Sequence, residues 1–241
     1  SERKNVDVSY ICTIRGCPYK CTYCASPFHW DRKTTRLRSP ESVIEEMKHL
    51  KKNYWYATKY DYSASANIAE KDSLKIEDNT LVYFVDDVFT IDKKWTVDFC
   101  QEYSARVNLP FYCNIRLDNT NEKVIKAMKK AQCAMVFVGA ESGDDFIRNA
   151  VMKRNMEIPY MLKKVKIFRK YGIKLLTENI VGSPGETFEM ALKTVKINQE
   201  IKPAFANCSI FTPYPKLALT DYAIKHGYFD GDFDKIKENY Y

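Results

Sequence analysis

KLLTENIVGSPGETFEM, residues 174–190, joins a β-branched and apolar run (174–181), a Gly-x-Pro-Gly turn (182–185) and the start of an amphipathic stretch reaching residue 200. The first part has strand character and the last has helical periodicity, with Glu186 and Thr187 at the junction. The same strand-then-helix unit recurs along the chain. Strands are predicted at 8–12, 81–85, 111–115, 134–138, 174–181 and 205–211, and helices at 40–53, 93–107, 121–131, 144–151, 158–171, 186–200 and 217–226. Six strands each followed by a helix imply parallel pairing through right-handed crossovers. The expected fold is α/β, a partial (βα)6 TIM-type barrel with parallel strands; an open doubly wound sheet is the alternative.

The 241 residues and 45% hydrophobic content suffice for one domain spanning 1–241. Residues 54–79, tyrosine-rich, exceed the ~2 to 6 residues of an ordinary α/β connection and are expected to be an insertion, a lid or a decorated loop. The chain begins at Ser1 and enters an apolar strand almost at once, and 228–241 resembles the opening of a further segment. Both ends predict a piece of a longer protein. No run approaches the ~20 apolar residues of a membrane span, and no signal peptide precedes the first strand, so a cytoplasmic location is expected. The net charge of +7 lies on lysine-bearing helical faces such as 123–130 and 163–170. Solvated faces account for it, which makes nucleic acid an unexpected partner.

Of eight cysteines, five (12, 100, 113, 133, 208) fall in strand-like or helix-like segments and read as small buried hydrophobes. The sequon Asn207-Cys208-Ser209 lies in what is predicted to be a buried strand. The other three, Cys17, Cys21 and Cys24, stand in GCPYKCTYC (16–24), in the loop after the first strand. Ligands gather at the carboxyl ends of parallel strands, so this loop belongs to the functional face. A structural zinc would need a fourth ligand, from His29 or Cys12. An iron–sulfur cluster held by three thiolates leaves one iron open to a ligand.

Five of the eight glycines (16, 139, 143, 182, 185) sit at predicted strand ends. Gly139–Gly143 (GAESG) follow the fourth strand, where Glu141 and Ser142 are ligand contacts or a helix cap before Asp144 and Asp145. The second strand ends in YFVDDVF (83–89); Asp86 and Asp87 would repel if both faced one dry site, so one is expected to hydrogen-bond within the fold and the other to face the cavity. Arg116 follows the third strand, where it either contacts a ligand or forms a surface ion pair with Asp118.

Cys17-x3-Cys21-x2-Cys24, with Tyr23 before the last cysteine, resembles the signature of the radical S-adenosylmethionine (radical SAM) superfamily. The resemblance implies a 4Fe-4S cluster on the three cysteines, whose fourth iron chelates the amino and carboxylate groups of S-adenosylmethionine. It also implies reductive cleavage to a 5'-deoxyadenosyl radical that abstracts hydrogen from substrate. By the same resemblance Asp86 or Asp87 meets the cofactor's amino group, and Arg116 approaches its carboxylate. Glu141 and Ser142 line its ribose or methionyl part, and NIVGSPGE (179–186) recognises adenine through Ile180, Val181, Gly182 and Gly185. A flavodoxin or ferredoxin is the implied electron donor; no residue is assigned to the abstraction step itself.

Segments 30–47 and 211–223 are similar to the branch that carries an N-terminal cobalamin-binding domain, related to the anaerobic porphyrin cyclases. Lys216 departs from the glycine usual after Thr-Pro-Tyr-Pro there. This branch implies an upstream cobalamin domain and methyl transfer to an unactivated carbon or phosphorus. The alternatives are a cobalamin-independent oxidoreductase, cyclase or methylthiotransferase and, outside enzymes, a zinc or Fe-S binding module. The resemblance spans most of 8–225 and is most specific at 12–47 and 179–187.

Overall fold

The computed structural model describes residues 6–26, 35–53, 59–60 and 80–236. His29, Trp30 and nearly all of the insertion expected at 54–79 lie outside them.

Six strands form a parallel array: β1 (Val6–Ile11), β5 (Thr80–Phe84), β6 (Phe111–Ile115), β7 (Cys133–Glu141), β8 (Lys174–Val181) and β9 (Phe205–Ile210). The short strands β2 (Ile14–Arg15) and β3 (Arg36–Leu37) pair separately, and β4 (Lys59–Tyr60) adds to β1 antiparallel, giving the order β4-β1-β5-β6-β7-β8-β9. The parallel strands therefore follow chain order without reversal. A doubly wound sheet reverses at a switch point; a sequential order with right-handed crossovers places the helices on one face and leaves the other free to curl inward. The chain is a partial (βα)6 barrel.

The helices are α1 (Pro40–Asn53), α2 (Lys93–Arg106), α3 (Glu122–Lys130), α4 (Ile158–Lys170), α5 (Phe188–Ile201) and α6 (Ala218–Lys225), and α2, α3 and α5 open on side chains that cap their free amides. Asp92, Asn121 and Thr187 accept from Trp95 N, Val124 N and Met190 N, and Pro159 occupies the first turn of α4. Between helices and sheet lies the main core, where Phe84 packs on Phe89, Phe99, Tyr103 and Phe111. Each such side chain contributes roughly 1.5–3 kcal/mol by burial. The opposite, inner face carries Tyr10, Tyr83, Tyr112 and Phe137 in mutual ring contact.

Two expectations change. Residues 144–151 form no ordinary α-helix: Phe146–Val151 wind as a π-helical turn. Arg148 is wholly buried there, donating to Met156 O (2.7 Å) and Ser142 O (2.9 Å), and these bonds hold the wider turn. The second change is at β9, predicted buried, whose residues are mostly exposed, Cys208 among them. Among the described residues β9 pairs only with β8, so it is a sheet edge with one neighbour.

Candidate functional site

The loop that follows β1 and β2 is tied down at Thr22. Thr22 donates from N to Met152 O (3.0 Å) and from Oγ1 to Val151 O (2.8 Å), and Leu219 N donates to Thr22 O (2.9 Å). These bonds bring Cys17, Cys21 and Cys24 to the carboxyl ends of β5 to β8. The three line one cavity of ≈190 Å³ with Asp87, Asn114, Arg116, Glu141, Arg154 and Glu178. Burial pushes the Cys24 thiol up to about 11 and shifts Cys17 the same way. Thiolates at this place therefore need a positive partner, and one is present: Arg116 Nη1 donates to Cys21 Sγ at 3.6 Å.

The two adjacent aspartates separate. Asp86 is 1% exposed, and its carboxylate accepts from Thr13 N (2.6 Å), Ile14 N (2.8 Å) and the Thr13 hydroxyl, so it clamps the β1–β2 turn. Burial raises its pKa, these three donors pulling it back. Asp87 lines the cavity and accepts from Ser26 Oγ (2.8 Å). Asp86→Ala would leave two buried amides and a hydroxyl without an acceptor, and is expected to lower stability by about 3 kcal/mol. Asp87→Asn, at an exposed position, should stay within about 0.5 kcal/mol. Urea midpoints of the two variants test this difference.

Glu141 reaches the cavity by a local distortion. A register shift between Gly139 and Glu141, with φ +64° at Glu141, turns its side chain back over the strand. A Cβ at residue 139 would sit 2.0 Å from Glu141 Oε1, so the glycine makes room for the carboxylate. Tyr23 OH donates to Glu141 Oε1 (2.7 Å), and Arg154 Nε stands 3.9 Å from the same oxygen. Burial raises the Glu141 pKa, opposed by Arg154. Ser142 takes another place: its Oγ accepts from Asp144 N (3.1 Å) inside the turn.

Arg116 is only 3% exposed. The Nε–Nη2 edge that a ligand carboxylate would take holds Asp118 instead (3.1 and 2.8 Å), Nη2 also donates to Arg154 O (3.0 Å), and Tyr19 stacks 3.6 Å below the guanidinium. Ile180 packs with Tyr23 against Ile147, Val151 and Leu219. Gly182 and Gly185 line a separate, larger cleft of ≈570 Å³ with Phe211 and Tyr228. Glu186 Oε2 accepts from Gly182 N (2.6 Å) and Ser183 N (3.2 Å), closing the turn.

Sequence reasoning did not single out Arg154, Asn114 or Glu178. Arg154 lies in a segment with no motif. A polar residue inside an apolar strand was the available signal for the other two. Burial raises the Glu178 carboxyl while the Asn207 amide, donating at 2.7 Å, lowers it.

The residues fit the implied groups. Cys12 turns its thiol to Ile14 O (3.6 Å), away from the triplet. Three thiols spread around one cavity beside a guanidinium match a polyatomic, negatively charged cluster. Arg154 Nε at the cysteine cavity, with only the Glu141 carboxylate 3.9 Å away, and Ser183 Oγ by the glycine cleft are buried without hydrogen-bond partners, as atoms awaiting a polar ligand would be.

Comparison with known proteins gives the same direction. Residues 11–197 match the family described as the radical SAM superfamily. The uncharacterised methyltransferase PH0819 of Pyrococcus horikoshii is 31% identical over 220 residues, 91% of this chain and 42% of that protein. An anaerobic magnesium-protoporphyrin IX monomethyl ester cyclase of Rubrivivax gelatinosus is 25% identical over 83% of this chain and 32% of its own length. The radical S-adenosylmethionine methyltransferase TsrM of Kitasatospora setae, solved with cobalamin and a 4Fe-4S cluster, shares the fold (TM-score 0.71, 17% identity), covering 90% of this chain and 37% of that one. The chain spans less than half the length of each of these relatives.

Proposed function

We propose, from the fact that this chain belongs to the radical SAM superfamily, that it is the core of an enzyme using S-adenosylmethionine for hydrogen abstraction in cobalamin-dependent methyl transfer. The observation that carries the first part is the convergence of Cys17, Cys21, Cys24 and Glu141 on one cavity at the carboxyl edge of the sheet. When bound, the 4Fe-4S cluster supplies the electron that breaks the sulfonium bond and yields the 5'-deoxyadenosyl radical.

The protein's own residues position and enclose. Cys17, Cys21 and Cys24 hold the cluster. Asp87 offers a carboxylate to a cationic amino group. Glu141, braced by Tyr23, presents an acceptor to hydroxyl donors, and the 182–186 turn with Phe211 and Tyr228 offers backbone and ring surface to a flat base. A flavodoxin or ferredoxin delivers the electron.

Methyl transfer rests on the similarity to a protein named as a methyltransferase and on the shared fold with a cobalamin-bound one. In this proposal an upstream corrinoid domain supplies the methyl group. Cyclase and methylthiotransferase chemistry are the alternatives.

Two measurements test the proposal. Mössbauer spectra of the anaerobically reconstituted protein should show a 4Fe-4S cluster in which one iron changes on adding S-adenosylmethionine; a cluster indifferent to it would refute the radical chemistry. The full-length gene product should bind a corrinoid and move a labelled methyl group from S-adenosylmethionine to product. A full-length protein that binds no corrinoid leaves the alternatives in its place.

A further inference from the structure

Arg116 faces the cysteine triplet in a way the expected contact with a cofactor carboxylate does not account for. Its guanidinium is held on three sides. Asp118 occupies the Nε–Nη2 edge, Arg154 O takes the other Nη2 hydrogen, and Tyr19 covers one face. The remaining nitrogen, Nη1, points at Cys21 Sγ. A buried cation with so many fixed partners has no freedom to swing toward a ligand, and its one sulfur contact is with a residue of the cluster-binding set.

We propose that Arg116 is a positioning residue that donates a hydrogen bond to the Cys21 sulfur and thereby raises the reduction potential of the cluster. The inference rests on the cluster assignment above. Reduction adds one negative charge, shared between iron and the thiolate sulfurs. A nearby N–H donor and positive charge stabilise the reduced form more than the oxidised one, and the low dielectric of a buried site strengthens the effect. Hydrogen bonds to ligating sulfurs are among the levers by which a protein sets such potentials. Asp118 and Tyr19 fix the direction of the donor. Lysine keeps the charge but has no planar fork able to bind Asp118 along one edge and reach sulfur with another nitrogen.

The test is an EPR-monitored redox titration, without S-adenosylmethionine, of the reconstituted full-length protein and its Arg116→Met and Arg116→Lys variants. Iron and sulfide content are measured on each. Arg116→Met is expected to disfavour reduction about tenfold, a fall of about 59 mV for a one-electron couple, with Arg116→Lys falling between it and the wild type. A cluster-loaded variant with the wild-type potential overturns the proposal. So does the outcome in which the potential holds and only affinity for S-adenosylmethionine drops, which would return Arg116 to the cofactor carboxylate.

Should either variant fail to fold, the Arg154→Lys protein labelled with 15N-arginine decides, since Arg154 also lies beside Cys21 and would otherwise contribute to the signal. Pulsed EPR of its reduced cluster should detect a guanidinium nitrogen, and the absence of any such coupling overturns the proposal. A wild-type chain that takes up no 4Fe-4S cluster is a different failure, visible in its iron and sulfide content, and defeats the function proposed above.

Discussion

Alanine at Cys17, Cys21 or Cys24 is expected to give a folded protein that cannot retain its iron–sulfur cluster and forms no 5'-deoxyadenosine above the uncatalysed background. The effect should be all-or-none because a cluster with three protein ligands has none to spare. The fold should survive because the cavity-lining thiols contribute little to the core. Cys17 and Cys24 are half-buried and Cys21 is buried, but each substitution removes only a sulfur and leaves the bonds that anchor the loop through Thr22 to Val151, Met152 and Leu219 in place. Iron content, the visible charge-transfer absorption and far-ultraviolet circular dichroism, measured on the same samples, check both halves of the expectation. Cys100→Ala serves as the contrast: its thiol is buried in the core, so it should lose stability and keep the cluster.

The second large effect comes from two glycines four residues apart. Gly143→Ala is expected to destabilise the domain by about 3 kcal/mol, because its new methyl would lie 2.1 Å from Lys193 O and 2.5 Å from Thr194 N. Those are backbone atoms of α5, which cannot withdraw without breaking its packing on the sheet. In a domain of this size each kcal/mol moves the melting temperature by about 2–4 °C, so a fall of roughly 6–12 °C is expected. Gly139→Ala meets a side chain instead, the Glu141 carboxylate at 2.0 Å. That carboxylate can swing aside, so stability should change little while the site loses its acceptor. The expected result is about tenfold weaker binding of S-adenosylmethionine or more, since about 1.4 kcal/mol of lost interaction suffices for that factor. Calorimetric melting and equilibrium binding on the two variants should separate; the same outcome in both would show that residue 139 acts through the fold.

Much of the fold was legible in the chain. The strand at 111–115 and the strand at 174–181 appear with the predicted bounds, and the others within a few residues. Alternation of short β-branched runs with amphipathic ones is a local property, and local periodicity is what a sequence displays. Residues 144–151 broke the rule because the buried Arg148 binds carbonyls outside its own turn. The exposed face of β9 was illegible for another reason: its composition is that of an interior strand, and only the sheet order shows that it lies at an edge.

The candidate site divides along the same line. The spacing of Cys17, Cys21 and Cys24 after the first strand was enough to mark this loop as the candidate site, and the structure places all three on one cavity. Sequence also showed that Asp86 and Asp87 could not share one role, because like charges repel in a dry site. It could not say which was which, nor choose between a ligand and Asp118 as the partner of Arg116, nor show that this arginine is buried, nor that Arg154 and Glu178 would join the cavity. Those assignments depend on contacts such as Thr13 with Asp86, 73 residues apart, and Tyr23 with Glu141, 118 apart. Spacing along the chain determined what this protein can hold; the packing of distant strands decided which side chains face it, because partners so far apart are fixed only when the sheet closes around them.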